Sequence, residues 1–199
     1  MSNAVLDARK TEHPVDPIFP SRWSPRAMSG ESLSREALLS LFEAARWAPS
    51  SSNGQPWRFV YATRESQEWP LFMSFLVEFN QAWTKNAAAL VVAVSRKDFD
   101  NNGKSVPVRT HAFDTGSAWM SLALQASLKG LVAHGMAGFD YDKAKAALKI
   151  PDNYEVQAMI ALGKPGKKED LPKALQEREF PSGRKPLSET VFEGTFKAT

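Results

Sequence analysis

A chain of 199 residues with 43% hydrophobic and 24% charged side chains is long enough to bury a sizeable core and too apolar to remain disordered. The formal net charge of +3, with a pI near 9.1, suits small anionic ligands, but no dense Lys/Arg block marks a nucleic-acid surface. The absence of cysteine excludes disulfides, iron–sulfur ligation, thiol catalysis and thiolate zinc sites.

The three histidines, His13, His111 and His134, are far apart and lack a metal-ligand spacing, so no metal site is expected. The N-terminus has no apolar signal core and no run is long enough to cross a bilayer, which points to the cytoplasm and away from a membrane partner. Residues 1–20 are polar and punctuated by Pro14, Pro17 and Pro20, and read as an extended or disordered arm before a single domain over 21–199.

Arg22-Trp23-Ser24-Pro25-Arg26 follows the arm. Two guanidinium groups and a hydroxyl within five residues can clamp a phosphate, each charge-assisted bond contributing roughly 1.5–3 kcal/mol. The alternative is a solvated arginine pair. Pro25 stiffens the segment. Ser34 to Trp47 predicts an amphipathic helix, with Leu38, Leu41, Phe42 and Ala45 on one face, Ser34 as N-cap and Leu33 placed to staple onto Leu38. Pro49 pushes Ala48 out of helical geometry. The loop from Pro49 to Pro56 carries Ser50, Ser51, Ser52, Asn53, Gly54 and Gln55, polar without formal charge. Trp57 to Ala62 alternates as a strand.

Pro70 to Trp83 predicts one helix with Phe72, Phe75, Leu76, Phe79 and Trp83 along its apolar face. Ala88 to Val94 is a continuous apolar run, the mark of a central strand. Residues 95–110 are polar, with turn chemistry at Asn101-Asn102-Gly103, and read as a surface excursion. Asp114 to Lys129 predicts a helix apolar nearly all round, suited to a core or a subunit interface, with Gly130 closing it. In Leu131 to Asp140, Gly135 and Gly138 let backbone approach a flat ligand closely, and Asp140 is the N-cap of a helix running to Lys149. His134 is read as a packing residue rather than an acid–base group. Glu155 to Leu162 alternates as a strand. The basic stretch at Lys164, Lys167, Lys168 and Lys173 is a solvated surface, and Phe180 to Phe196 has little helical period.

Pro49-Ser50-Ser51-x-Asn53-x-Gln55-Pro56-Trp57, set between a helix and a strand, resembles the FMN-dependent nitroreductase family. Arg22-x-Ser24-x-Arg26, the glycine-containing loop at Met136-Ala137-Gly138, and Arg184-Lys185 in the tail match the same family in order and spacing. The resemblance implies an α+β fold with a mainly antiparallel sheet flanked by helices, and a C-terminal tail that embraces a partner subunit. It implies a homodimer with two FMN sites, each built from both chains. Trp23 lies within the Arg22–Arg26 segment, which with Arg184 or Lys185 would hold the phosphate and ribityl end. Pro49, Ser50, Ser51, Asn53 and Asn80 would supply contacts to the ring. Backbone amides of Ala137 and Gly138, beside Met136, would address flavin N5 and O4. Several family members carry a lysine where this chain has Trp83, which would then cover the ring or narrow the pocket. The implied activity is hydride transfer from NAD(P)H through the flavin to a nitroaromatic or quinone, with no obligate catalytic side chain. Other flavin reactions on the same fold, such as reductive dehalogenation or flavin cleavage, and a basic cofactor-free binding protein are the rival readings.

Overall fold

The computed structural model describes residues 9–197. Part of the N-terminal arm therefore lies outside the described residues. Within the rest, a four-stranded sheet runs in the order β1-β2-β6-β5, where β1 is Trp57–Thr63, β2 is Ala89–Arg96, β5 is Val132–Met136 and β6 is Tyr154–Gly163. Every pairing is antiparallel.

The continuous apolar run of β2 is explained by cover on both faces. Leu90, Val92 and Val94 join one core with Phe72, Phe75, Trp83 and Met159, while Ala89, Val91 and Ala93 join a second with Leu38, Leu41, Ala118 and Leu122. Two-residue alternation thus sends neighbouring side chains into different cores.

The second core holds the two long helices. Helix α2 (Arg35–Arg46) begins at Ser34, whose hydroxyl accepts from the Ala37 N–H at 3.1 Å, the cap expected from the sequence. Helix α5 (His111–Leu128) starts three residues earlier than its apolar pattern and closes at Gly130, where φ is +68°. Its start is tied to the sheet by fully buried Ser95, whose hydroxyl lies 2.7 Å from His111 Nδ1 and accepts from Gln157 Nε2 at 2.8 Å. Phe113 and Leu128 on this helix remain 78% and 62% exposed.

Within the 1–20 arm, Ile18–Ser21 forms a one-turn helix, α1, so the arm is not extended throughout. Residues 98–107 form the hairpin β3 (Asp98–Asn101) and β4 (Lys104–Pro107). Its turn, Asn102-Gly103, has positive φ at both residues, the geometry that suits the strand twist.

The Pro70–Trp83 helix is corrected. It is two short helices, α3 (Trp69–Met73) and α4 (Glu78–Thr84). Between them the backbone opens to pair with a segment more than sixty positions away: Val77 N–H donates to Gly138 O at 3.2 Å, and Asp140 N–H donates to Phe75 O at 2.8 Å. Consequently Phe79 is exposed and stands under the Arg178 guanidinium, while Phe72, Phe75, Leu76 and Trp83 are buried. Helix α6 (Tyr141–Ala147) is capped by Asp140, which accepts from Lys143 N–H at 2.9 Å, and stops short of Lys149, whose φ is +53°. A short helix α7 (Lys173–Gln176) precedes the tail. Among the described residues beyond 180 there is a single helical turn, Leu187–Glu189, and most side chains are exposed.

Candidate functional site

At the end of α1 the chain passes Arg22-Trp23-Ser24-Pro25-Arg26, and this segment forms one wall of a cavity of about 340 Å³. Five arginines line it: Arg9, Arg22, Arg26, Arg178 and Arg184. Arg22 Nη1 donates to Ser24 Oγ at 3.3 Å. The carboxylate that approaches the cluster, Glu179, is already engaged. Its Oε1 accepts from the Arg26 and Ala27 N–H groups at 2.7 and 2.8 Å, and its Oε2 lies 3.9 Å from Arg26. Arg9 Nε and Arg22 Nε are buried without a hydrogen-bond partner.

Burial first, and neighbouring cations second, depress Arg9 and Arg22. Burial, followed by the charge of Arg184, holds Arg22 below the ordinary guanidinium value; Arg9 is lowered by burial, then by Arg184 and Arg22. Arg26 is lowered by burial against the opposing pull of Glu179. Half-buried and exposed guanidinium groups lining one cavity, with two Nε donors unpaired, suit an anion, and guanidinium forks match phosphate oxygens.

A second cavity, of about 400 Å³, shares Arg22 and Ser24 with the first and continues over Trp119, Met120, Gly135, Met136 and Ala137. At Gly135 the bare backbone lets the Trp119 ring pack close, since a Cβ there would stand 3.2 Å from it. The cationic end thus leads to an apolar floor at the end of β5, the polarity of a flat ligand that carries a phosphate.

His134 directly precedes Gly135 of the second cavity. It lines the arginine cavity, its Nδ1 lies 3.0 Å from the Pro25 carbonyl, and its ring packs against Trp83 at 4.6 Å between centroids. Burial pushes its pKa down, opposed by the Pro25 carbonyl and assisted by Arg26, so the ring is held neutral. Trp83 is 2% exposed and lines neither cavity. The expectation that it covers a ligand or narrows the pocket is corrected: it is a core residue that props His134.

Asn80, 8% exposed, faces Gly138 rather than open space. Its Nδ2 donates to Gly138 O at 2.9 Å, and its Oδ1 accepts from Trp83 Nε1 at 3.2 Å. Asn80 and the α3–α4 break therefore brace the loop that follows Met136.

The Ser50 loop lies elsewhere in the chain. Ser50, Ser51 and Asn53 line neither cavity; Pro49, Ser51 and Asn53 are exposed and Ser50 is half-buried. Ser51 N–H donates to Asp114 Oδ2 at 3.2 Å, and Ser50 Oγ accepts from Gln55 N–H at 3.0 Å. Ser52, Asn53 and Gln55 all have positive φ, at 50°, 53° and 46°. Non-glycine residues in that region cost of order 1–3 kcal/mol each and mark loops held for a purpose. Of the tail pair, Arg184 lines the arginine cavity, whereas exposed Lys185 lies 3.3 Å from Glu189 and lines neither cavity.

One chain therefore brings together Arg22, Trp23, Ser24, Arg26, Arg184, Met136 and Ala137, with Gly138 next to Ala137 and Asn80 behind it. It leaves Ser50, Ser51 and Asn53 apart. Arg9 and Arg178 join the site without any local sequence signal.

A family model described as "Nitroreductase family" matches residues 20–76 and 62–164. The chain belongs to the nitroreductase family. A crystal structure described as an oxidoreductase containing FMN is 48% identical to this nitroreductase-family chain, covers 100% of both chains and superposes with a TM-score of 0.95. A nitroreductase family protein from Clostridium novyi NT is 27% identical, covering 81% of this chain and 89% of its own, with a TM-score of 0.62. Among curated relatives, an NADH dehydrogenase from Thermus thermophilus is 27% identical over 181 residues, 78% of this chain and 83% of the relative. The nitroreductase fold named by these matches is the α+β sheet-and-helix arrangement described above.

Proposed function

We propose that this nitroreductase-family chain is an FMN-dependent oxidoreductase, taking hydride from NAD(P)H and delivering it to an electron-poor acceptor such as a nitroaromatic or quinone. The observation that carries the reading is a pair of cavities that share Arg22 and Ser24 as lining: arginine donors without partners in one, and Gly135, Met136 and Ala137 in the other. FMN has the matching form, a phosphomonoester joined through a ribityl chain to a planar ring, and when bound it supplies the two-electron chemistry that amino-acid side chains lack.

In this assignment Arg22, Ser24, Arg26 and Arg184 hold the phosphate and ribityl end, with Trp23 walling it and Lys185 nearby in sequence. Met136, Ala137 and Gly138 present backbone to the reactive edge of the ring. Asn80 acts by holding Gly138 in place, through the bond to its carbonyl. Neutral His134 adds no charge to the cluster and fixes the Pro25 turn. No side chain is assigned as an obligate acid or base.

Pro49, Ser50, Ser51 and Asn53 reach the ring in this reading from a second copy of the chain. The loop is solvent-facing with three left-handed residues, and exposed Phe113, Met120 and Leu128 on α5 supply apolar surface for a homodimer, with the tail reaching across. The test is to incubate purified protein with FMN, remove free ligand by gel filtration, and profile acceptors with NADH and NADPH. Retained yellow colour with turnover of nitroaromatics or quinones supports the assignment. A protein that stays colourless contradicts it, and a flavoprotein that turns over only halogenated acceptors or flavin itself shifts the reaction class.

A further inference from the structure

Arg9 belongs to none of the motifs above, and the family match begins only at residue 20. Its side chain nevertheless crosses to the site. Nη1 donates to the carbonyls of Pro20 and Arg22 at 2.9 and 2.7 Å, which fixes the guanidinium on the back of the Arg22 segment. Nε is buried and unpartnered. The same side chain walls the arginine cavity and an adjoining cavity of about 570 Å³, and Arg184 walls both as well. A guanidinium anchored by two carbonyls, pressed toward Arg22 and Arg184 and without a carboxylate partner among the described residues, is placed to complete an anion site.

We propose that Arg9 is a phosphate-binding residue contributed by the N-terminal arm, so that the arm closes the phosphomonoester end of the site. This rests on the assignment of FMN as ligand. The experiment measures equilibrium binding of FMN and of riboflavin, which lacks the phosphate, by quenching of flavin fluorescence for wild type, Arg9→Gln and Arg9→Lys. Thermal melts without ligand check folding, and melts with inorganic phosphate probe the anion site alone.

Loss of one charge-assisted contact is expected to weaken FMN binding about ten- to a hundredfold in Arg9→Gln, leaving riboflavin within about twofold. Arg9→Lys, which keeps the charge but not the fork, should fall between Gln and wild type. Equal losses for FMN and riboflavin, or an unchanged FMN affinity in Arg9→Gln, would overturn the proposal and leave Arg9 as a backbone brace. Wild type that binds neither flavin defeats the FMN assignment instead. Phosphate stabilisation in wild type that is lost in Arg9→Gln would then still support an anion-binding Arg9, and its persistence in the variant would overturn that as well.

Discussion

Replacing Gly138 by alanine places a methyl group where the Asn80 amide now sits. The new Cβ would lie 2.7 Å from Asn80 Nδ2 and 3.2 Å from Val77 Cγ2. Asn80 cannot yield freely, because it donates to the Gly138 carbonyl at 2.9 Å and accepts from Trp83 Nε1 at 3.2 Å in a buried setting. If the amide swings away, both bonds are lost and buried partners are left unpaired, at about 1–3 kcal/mol each. If the loop moves instead, the bridges from Val77 and Asp140 are strained. Either route costs about 3 kcal/mol, a fall in Tm of roughly 6–12 °C for a chain of this size. Circular dichroism during urea and thermal unfolding measures it, and FMN affinity should fall with it if Ala137 and Gly138 meet the ring. In an Asn80→Ala background the obstacle is gone and the added cost of Gly138→Ala should shrink to about 1 kcal/mol, a coupling that a double-mutant cycle isolates. Strictly additive losses, or a single variant as stable as wild type, would refute the proposed brace.

Glu179→Ala should destabilise the protein by about 1–3 kcal/mol in urea unfolding, since it leaves the Arg26 and Ala27 N–H groups without their acceptor. His134, with its folded pKa pressed below 6.5, binds fewer protons native than unfolded; its stabilisation is therefore present above about pH 6.5 and is lost as pH falls below that value. Subtracting the pH-stability curve of His134→Gln from that of wild type between pH 5 and 7.5 should leave this slope, and a flat difference would contradict it. If the flavin site spans two chains, mixing an Arg22→Ala chain with an Asn53→Ala chain should restore one intact FMN site in each mixed dimer, measurable as recovered bound flavin against either variant alone; no recovery would place the whole site in one chain.

The elements read most easily from the sequence are those whose burial pattern is local. Ser34 and the 3–4 spacing of Leu38, Leu41 and Ala45 announce α2, and the unbroken run in β2 announces a strand covered twice. Asn101-Asn102-Gly103 announces a turn, but the short strands on either side of it, which make the hairpin, read only as a surface excursion. The α3–α4 break was not legible because its cause is the Gly138 loop, reached only in the folded chain; the aromatic stripe alone favours one helix. Trp83 reads as a pocket wall by family position, yet its ring is consumed by the core and by His134. Arg22, Ser24, Arg26 and Arg184 could be singled out by motif and brought near one another, but Arg9 and Arg178 look like any solvated arginine until tertiary contacts carry them to the same cavity. The left-handed residues of the Ser50 loop are likewise invisible in a string where Ser, Asn and Gln suggest an ordinary polar turn.

The central claim is that the two cavities sharing Arg22 and Ser24 hold a redox-active flavin. Anaerobic titration of the FMN-loaded protein with NADH and with NADPH, followed in the visible spectrum, addresses it most directly. The flavin absorbance should bleach with one equivalent of at least one nicotinamide and return when a quinone is admitted. Bound flavin that keeps its oxidised spectrum with an excess of both would contradict the account.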